Sequence, residues 1–437
     1  MKKNDIYTLT CTSYTYQGFG VAKLDGFPIF ISNMLMDEQC EIAITLVKKT
    51  YAFGRIITII KPSIHRVEPI CPIYKQCGGC SLQHMDAIEQ ANFKTNQIQS
   101  VIERIAKLDN KVEQIKTMDK PYNYRNKTQV PIGFKDNKAI CGFYRMNSND
   151  IIEMENCSIH SKTFNSIIEV LKPLLIDNLY KHILIKEGFN TKDIMVVLIV
   201  KSNKLTNIDS IINTLTTNFT NIKSIIMNVN DRKDNVILGD KEYLLYGKDY
   251  ITDTLDGLKF NISAKSFYQI NPIQMEVLYN YVKEFAQLDG TQLVLDLYCG
   301  VGTIGLYLAR YASKVIGIEI VEDAIKDAKI NAEINNANNI EFVCSDAANY
   351  ACKLVDDNIK PDVIVIDPPR KGCDELTISS IVKMNPSKIV YVSCDPSTLA
   401  RDLAIFNKDY HIDTIQPVDM FPHTYHVECV VLMSKFR

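Results

Sequence analysis

Residues 389–403, IVYVSCDPSTLARDL, put a thiol, Cys394, where an apolar strand runs out and a helix begins. A thiolate on such a corner can add to an electron-poor carbon, although most free cysteines simply pack. A second candidate is Glu428 in HTYHVECVV, a carboxylate at the start of the last strand that could carry a proton. A third is the turn DLYCGVGTIGL, whose Gly300, Gly302 and Gly305 form a G-x-G-x-x-G at a strand-to-helix junction. Glycines there let the backbone turn sharply and approach a ligand, and Glu319, ending the next strand, suits a pair of ribose hydroxyls.

A nicotinamide dehydrogenase would show the same turn. Three details favour S-adenosylmethionine instead. Asp296 lies inside the strand before the glycines, Asp346 ends the third strand where an adenine would lie, and Asp367-Pro368-Pro369-Arg370 ends the fourth. Asp-Pro-Pro resembles the tetrapeptide with which amino-methyltransferases hold a base amine, but Arg370 replaces the aromatic residue. An exocyclic amine has a lone pair and needs no covalent help. Carbon 5 of uracil becomes nucleophilic only after a group adds to carbon 6, and a thiolate is suited to that addition. Cys394, at the end of the fifth strand, would stand over the crevice where open parallel sheets bind ligands, with Glu428 to remove the C5 proton.

The elements that must position these groups fall into three parts. Residues 1–66 read as short strands broken by glycines, an OB-type β-barrel whose Lys48, Lys49, Arg55 and Lys61 could meet phosphate or simply face solvent. Residues 71–260 form a strand-rich central domain, in which the helical stretch at about 88–108 is expected to pack on the catalytic part. There Lys120, Arg125, Lys127 and Arg145 interleave with Tyr122, Tyr124 and Tyr144, a pattern that fits either nucleic acid or an outward strand face. Residues 261–437 alternate apolar strands with helices, the mark of an α/β domain with a parallel sheet. An antiparallel hairpin, joined by a short turn, is expected at one edge.

Charged residues make up 23% of the 437 and the net charge is only −2, so any nucleic-acid footprint must be local. No apolar run reaches membrane-spanning length and no signal peptide opens the chain, which predicts a cytoplasmic protein without a membrane partner. Thirteen cysteines in such a chain are poor candidates for disulfides. Cys71, Cys77 and Cys80, spaced C-x5-C-x2-C, together with Cys157, form a set of four thiols suited to zinc or an iron–sulfur cluster. Cys299, Cys373 and Cys429 read as packing residues and His160 as a bystander.

In SFYQIN, DLYCGVGTIGL, IGIEI, DPPRKG, SCDPSTLARDL and HVE, the chain resembles the RNA uracil-5 methyltransferase family, and its ribosomal-RNA branch in particular. The resemblance spans the whole length: a TRAM barrel, a cysteine-bearing central domain and a Rossmann-like class I methyltransferase domain. It implies Cys394 as nucleophile, Glu428 as base, and Gln269, Tyr298, Glu319 and Asp367 as S-adenosylmethionine contacts. It further implies a [4Fe–4S] cluster rather than zinc, 23S rRNA as substrate, and a monomer. The alternatives are a tRNA enzyme of the same family, an iron–sulfur oxidoreductase with a dinucleotide, and a non-catalytic RNA-binding factor. Two positions depart from the family: Asp395 stands where Asn is common, and Tyr425 where proline is usual.

Overall fold

The computed structural model describes residues 1–436 apart from 137 and 177. At the N-terminus β1 (Ile6–Thr10), β2 (Ser13–Tyr14), β3 (Gly20–Leu24), β4 (Phe27–Ile31), β5 (Gln39–Val47) and β6 (Ala52–Lys61) form one sheet in the order β1-β5-β6-β4-β3-β2. Alternation decides its inside: Cys40, Ile42 and Ile44 of β5 point inward with Ile29 and Ile31. The β5–β6 register shifts at three points, and such bulges coil a small sheet on itself.

After the cysteine turn comes α1 (Ala87–Val101), capped by Asp86 and closed by a π-helical turn over Ile102–Ala106. Next are β7 (Lys127–Lys135), β8 (Lys138–Tyr144), β9 (Ile151–Glu153), α2 (Lys162–Leu171), β10 (Tyr180–Glu187), β11 (Ile194–Val200), α3 (Ile208–Asn218), β12 (Ile222–Val229) and β13 (Lys241–Gly247). Their sheet runs β13-β12-β11-β10-β7-β8-β9. The unbroken apolar run of β11 has a physical reason: it is buried on both faces. Ile194, Val196 and Leu198 meet α2 and α3, whereas Met195, Val197 and Ile199 join the core of the C-terminal half.

The hairpin β14 (Tyr250–Leu255) and β15 (Leu258–Ser263) turns at Asp256-Gly257, both left-handed. It packs Ile251, Leu255, Phe260 and Ile262 into that same C-terminal core, so a division at 260/261 falls inside a strand. From here α4 (Pro272–Ala286), β16 (Leu293–Leu297), α5 (Thr303–Ala309), β17 (Lys314–Glu319), α6 (Glu322–Ile334), β18 (Ile340–Cys344), α7 (Ala347–Asp356), β19 (Val363–Ile366), α8 (Glu375–Met384), β20 (Lys388–Ser393), α9 (Pro396–Phe406), β21 (Tyr410–Val418) and β22 (Glu428–Lys435) complete the chain. Their sheet is β18-β17-β16-β19-β20-β22-β21, and only β22 runs antiparallel to the rest, pairing so with both β20 and β21. Successive residues feed two cores: Val363, Val365, Val390 and Val392 one side, Ile364, Ile366, Ile389 and Tyr391 the other. Among the described residues no helix is long and apolar enough to cross a membrane.

The C-terminal pair forms the antiparallel hairpin expected at one edge and differs from the sequence reading in its connection. β22 is inserted between β20 and β21, and the two strands are joined by a nine-residue, mostly buried loop, 419–427, rather than a short turn. The outer strand β21 is itself covered, because Glu113 and Lys116 donate backbone N–H groups to Ile415 and Pro417. Such cover removes an open sheet edge.

Lys94 of α1, fully buried, reaches into the loop and donates to Asp419 Oδ1 at 2.5 Å and to the Phe421 carbonyl at 3.0 Å. Removing one partner of such a pair strands the other charge in an apolar setting. Lys94→Met should therefore lower unfolding stability by about 3–5 kcal/mol, and Lys94→Met with Asp419→Leu should recover most of it. Denaturant titration of the three proteins measures both.

Candidate active site

The strand order reverses between β16 and β19, and a crevice opens at their carboxyl ends, where ligands of open α/β sheets bind. The β16–α5 turn needs three left-handed residues, Tyr298 (φ 66°), Gly300 (φ 55°) and Gly302 (φ 81°). Tyr298 is the unusual one, since a side chain disfavours that region. A Cβ added at Gly302 would stand 2.5 Å from the Phe342 ring, so this glycine serves packing. A Cβ added at Gly300 would meet nothing within 4 Å, so its backbone borders open space. Glu319 is fixed beside it, accepting from Gly300 N–H at 3.2 Å and Val321 N–H at 2.9 Å. Asp296 lies buried beneath, neither carboxyl oxygen partnered among the described residues. Burial, reinforced by Asp367, pushes it up to about 8.

The other expected contacts are more varied. Asp346 caps α7, accepting from Asn349 N–H at 3.1 Å. Gln269 is buried just before α4, its backbone carbonyl accepting from Asn126 at 3.1 Å. Tyr298 leans on the core that contains β16 and β20. Asp367 follows β19, and burial pushes it up to about 7.

Cys394 and Glu428 meet through strand register. Ser393 faces Cys429 across β20 and β22, so the next pair toward the crevice is Cys394 and Glu428. Burial, then Glu428 and Asp367, push the Cys394 thiol up to about 12. Glu428 is itself held well above the carboxylate range by burial and by Asp367. Arg370 pulls both groups the other way. In the sequence Arg370 stands out only as a departure from a motif; its charge acting on Cys394 and Glu428 is legible only in the fold.

Both family departures have local explanations. Asp395 caps α9, its Oδ1 accepting from Ser397 and Thr398 N–H at 2.9 and 3.1 Å, work that Asp does as well as Asn. Tyr425 donates its N–H to Ser81 Oγ at 3.0 Å, which proline could not do, and its ring meets Tyr16 of the barrel edge-on.

A cleft of about 900 Å³ lies between the barrel, the cysteine turn, the β8–β9 connection and Thr424–His426. Phe19, Phe53, Tyr144 and Tyr425 line it with Lys75 and Arg145. Of the interleaved basic and aromatic residues, only Tyr144 and Arg145 face this cleft. Tyr124 is buried and donates to the Pro422 carbonyl at 3.1 Å, and Tyr122 stacks on His423 at 4.5 Å. The exposed Lys48, Lys49, Arg55 and Lys61 lie outside its lining.

Cys71, Cys77, Cys80 and Cys157 line one smaller cavity of about 60 Å³, together with Arg125 and His160. Burial, reinforced by neighbouring thiols, raises Cys80 to about 12 and Cys157 to about 11, and Gly79 N–H donates to Cys77 Sγ at 3.3 Å. Among the described residues, no three His, Cys, Asp or Glu side chains are gathered closely enough to hold a single metal ion. The four thiols border one shared space. His160 packs edge-on against Phe143. Cys299, Cys373 and Cys429 are buried in the two cores.

Residues 87–436 match the family model for tRNA (uracil-5-)-methyltransferases, and residues 2–57 match that for the TRAM domain. A protein of Clostridium tetani named only as an RNA methyltransferase is 43% identical, covering 100% of this chain and 98% of its own. A similarly named protein of Oceanobacillus iheyensis is 44% identical, covering 99% and 97%. Among solved structures, the Pyrococcus abyssi tRNA (uracil-54, C5)-methyltransferase in complex with S-adenosyl-L-homocysteine superposes with a TM-score of 0.79 at 28% identity, covering 98% of this chain and 99% of its own. A helical cap, a glycine turn and a thiol–carboxylate pair on a switch-point sheet thus sit in a chain that belongs to the tRNA (uracil-5-)-methyltransferase family and carries a TRAM domain.

Proposed function

We propose that the protein transfers a methyl group from S-adenosylmethionine to carbon 5 of a uridine in RNA, 23S rRNA first, through a temporary bond from Cys394 to carbon 6. The observation that carries this reading is the adjacency of Cys394 and Glu428 at the crevice. The Cys394 sulfur, as thiolate, bonds to C6 and turns C5 into a nucleophile. Once C5 has used its electron pair to bond the methyl group, Glu428 takes the remaining C5 proton, the C5–C6 double bond re-forms, and the C6–S bond breaks to return the thiolate. A carboxyl held well above its usual range is the stronger base for that step.

Gly300, Gly302, Glu319, Tyr298, Asp346, Gln269 and Asp367 are the residues we assign to the cofactor. The open backbone at Gly300 beside a fixed Glu319, above the unpartnered Asp296, fits an adenosyl group carrying positive charge. When bound, S-adenosylmethionine supplies the methyl sulfonium, whose charge favours ionised Asp367 and Glu428. The four cysteines Cys71, Cys77, Cys80 and Cys157 we assign to a [4Fe–4S] cluster, on the cavity they share. The aromatic and basic cleft, walled in part by the loop that leads into β22, suits an unstacked RNA strand. A transfer-RNA target is the second reading, favoured by the full-length similarity to the P. abyssi tRNA enzyme.

Mapping 5-methyluridine in ribosomal and transfer RNA from cells lacking the gene separates these targets: loss of a 23S site is expected, and loss confined to tRNA would reverse the order. Cys394→Ala should abolish methylation while retaining S-adenosylhomocysteine binding by calorimetry. Glu428→Gln should accumulate a methylated protein–RNA adduct on denaturing gels; free product at the normal rate would remove Glu428 from its role. Because the thiol sits near 12, its thiolate fraction climbs as pH rises toward that value. Iodoacetamide labelling of the Cys394 peptide should therefore accelerate about tenfold per pH unit from about pH 7 to about pH 10, and Arg370→Gln should slow it throughout.

A further inference from the structure

The cysteine turn and the loop that delivers Glu428 are joined directly. Beyond Cys80, the N–H groups of Ser81 and Leu82 both donate to the His423 carbonyl at 2.9 Å. Ser81 Oγ accepts from Tyr425 N–H at 3.0 Å. Two consecutive residues thus make three hydrogen bonds to a loop that reaches Glu428 three residues later. His423 holds a left-handed backbone (φ 65°), and its N–H is taken by Gln90 Oε1 at 3.0 Å, so the loop is held in a conformation it would not choose alone. Cys394, by contrast, comes from β20 and α9, which the turn does not support.

We infer that the Cys77–Leu82 turn is a positioning element for Glu428: whatever fixes Cys80 in the four-thiol cavity also fixes the loop that carries the carboxylate. This rests on the reading of Glu428 as base. It gives the cysteine site a task in a reaction that transfers no electrons. It also divides the reaction: disturbing the turn should impair proton removal while leaving thiol addition and methyl transfer intact.

The test uses Ser81→Ala in the full chain and RNA from cells grown with 5-fluorouracil. Fluorine at C5 cannot be abstracted as a proton, so the enzyme is trapped after addition and methylation, without need of Glu428. Ser81→Ala should form the trapped complex at the wild-type rate, but turn over ordinary RNA about three- to tenfold more slowly. Hydrogen exchange at amides 419–427 should rise in Ser81→Ala and further in Cys80→Ala. Equal loss of trapping and turnover, or exchange at 419–427 unchanged in Cys80→Ala, overturns the inference. Failure of the wild-type protein to be trapped at all would instead overturn the covalent reading, and the inference with it.

Discussion

The antiparallel entry of β22 between β20 and β21 is the constraint from which the candidate chemistry follows. Cys394 and Glu428 are 34 residues apart in sequence. They become neighbours only because backbone hydrogen bonds fix Ser393 opposite Cys429. Side chains on a strand alternate faces, so slipping that register by one residue would turn Glu428 to the other side of the sheet. The register is in turn held by burial, since Val430 and Leu432 fill one core and Val431 and Met433 the other.

The same burial sets the electrostatics. Asp296, Asp367, Glu428 and Cys394 all gather at one end of the sheet, and each is pushed toward its neutral form. Four acidic groups so close together cannot all ionise in a poorly solvated place. Arg370 supplies partial relief, on Cys394 and Glu428. Such a pocket is matched to a cationic ligand and to bases that hold protons tightly, both of which the proposed reaction needs.

What the sequence made legible follows the range of the forces involved. The apolar runs of β16 to β20 and the glycine turn after β16 are local, and each appears in the fold. The strand order around β22 is not local; a strand buried on both faces reads the same at the edge or inside. Lys94 was invisible for a different reason. A lysine on a helix of mixed polarity reads as surface, and only a partner 325 residues away makes its burial tolerable. Tyr124 and Tyr122 misled in the opposite sense, because rings spaced along a basic segment suggest stacking on bases when they in fact brace the loop at Pro422 and His423.

That loop gathers supports from every part of the chain: Lys94 and Gln90 from α1, Ser81 from the cysteine turn, Tyr124 from the segment before β7, and Asn271 from the start of α4, which donates to Met420 at 3.2 Å. A proton-accepting side chain must be placed to within a fraction of an ångström, and a nine-residue loop has far too much conformational freedom to do so unaided. Spending this many contacts on 419–427 makes the placement of Glu428 a property of the assembled chain rather than of one domain. The cleft proposed for RNA is walled by the same loop. A strand seated there would press on residues already fixed from behind, so in the proposed reaction binding and proton removal would share one rigid element.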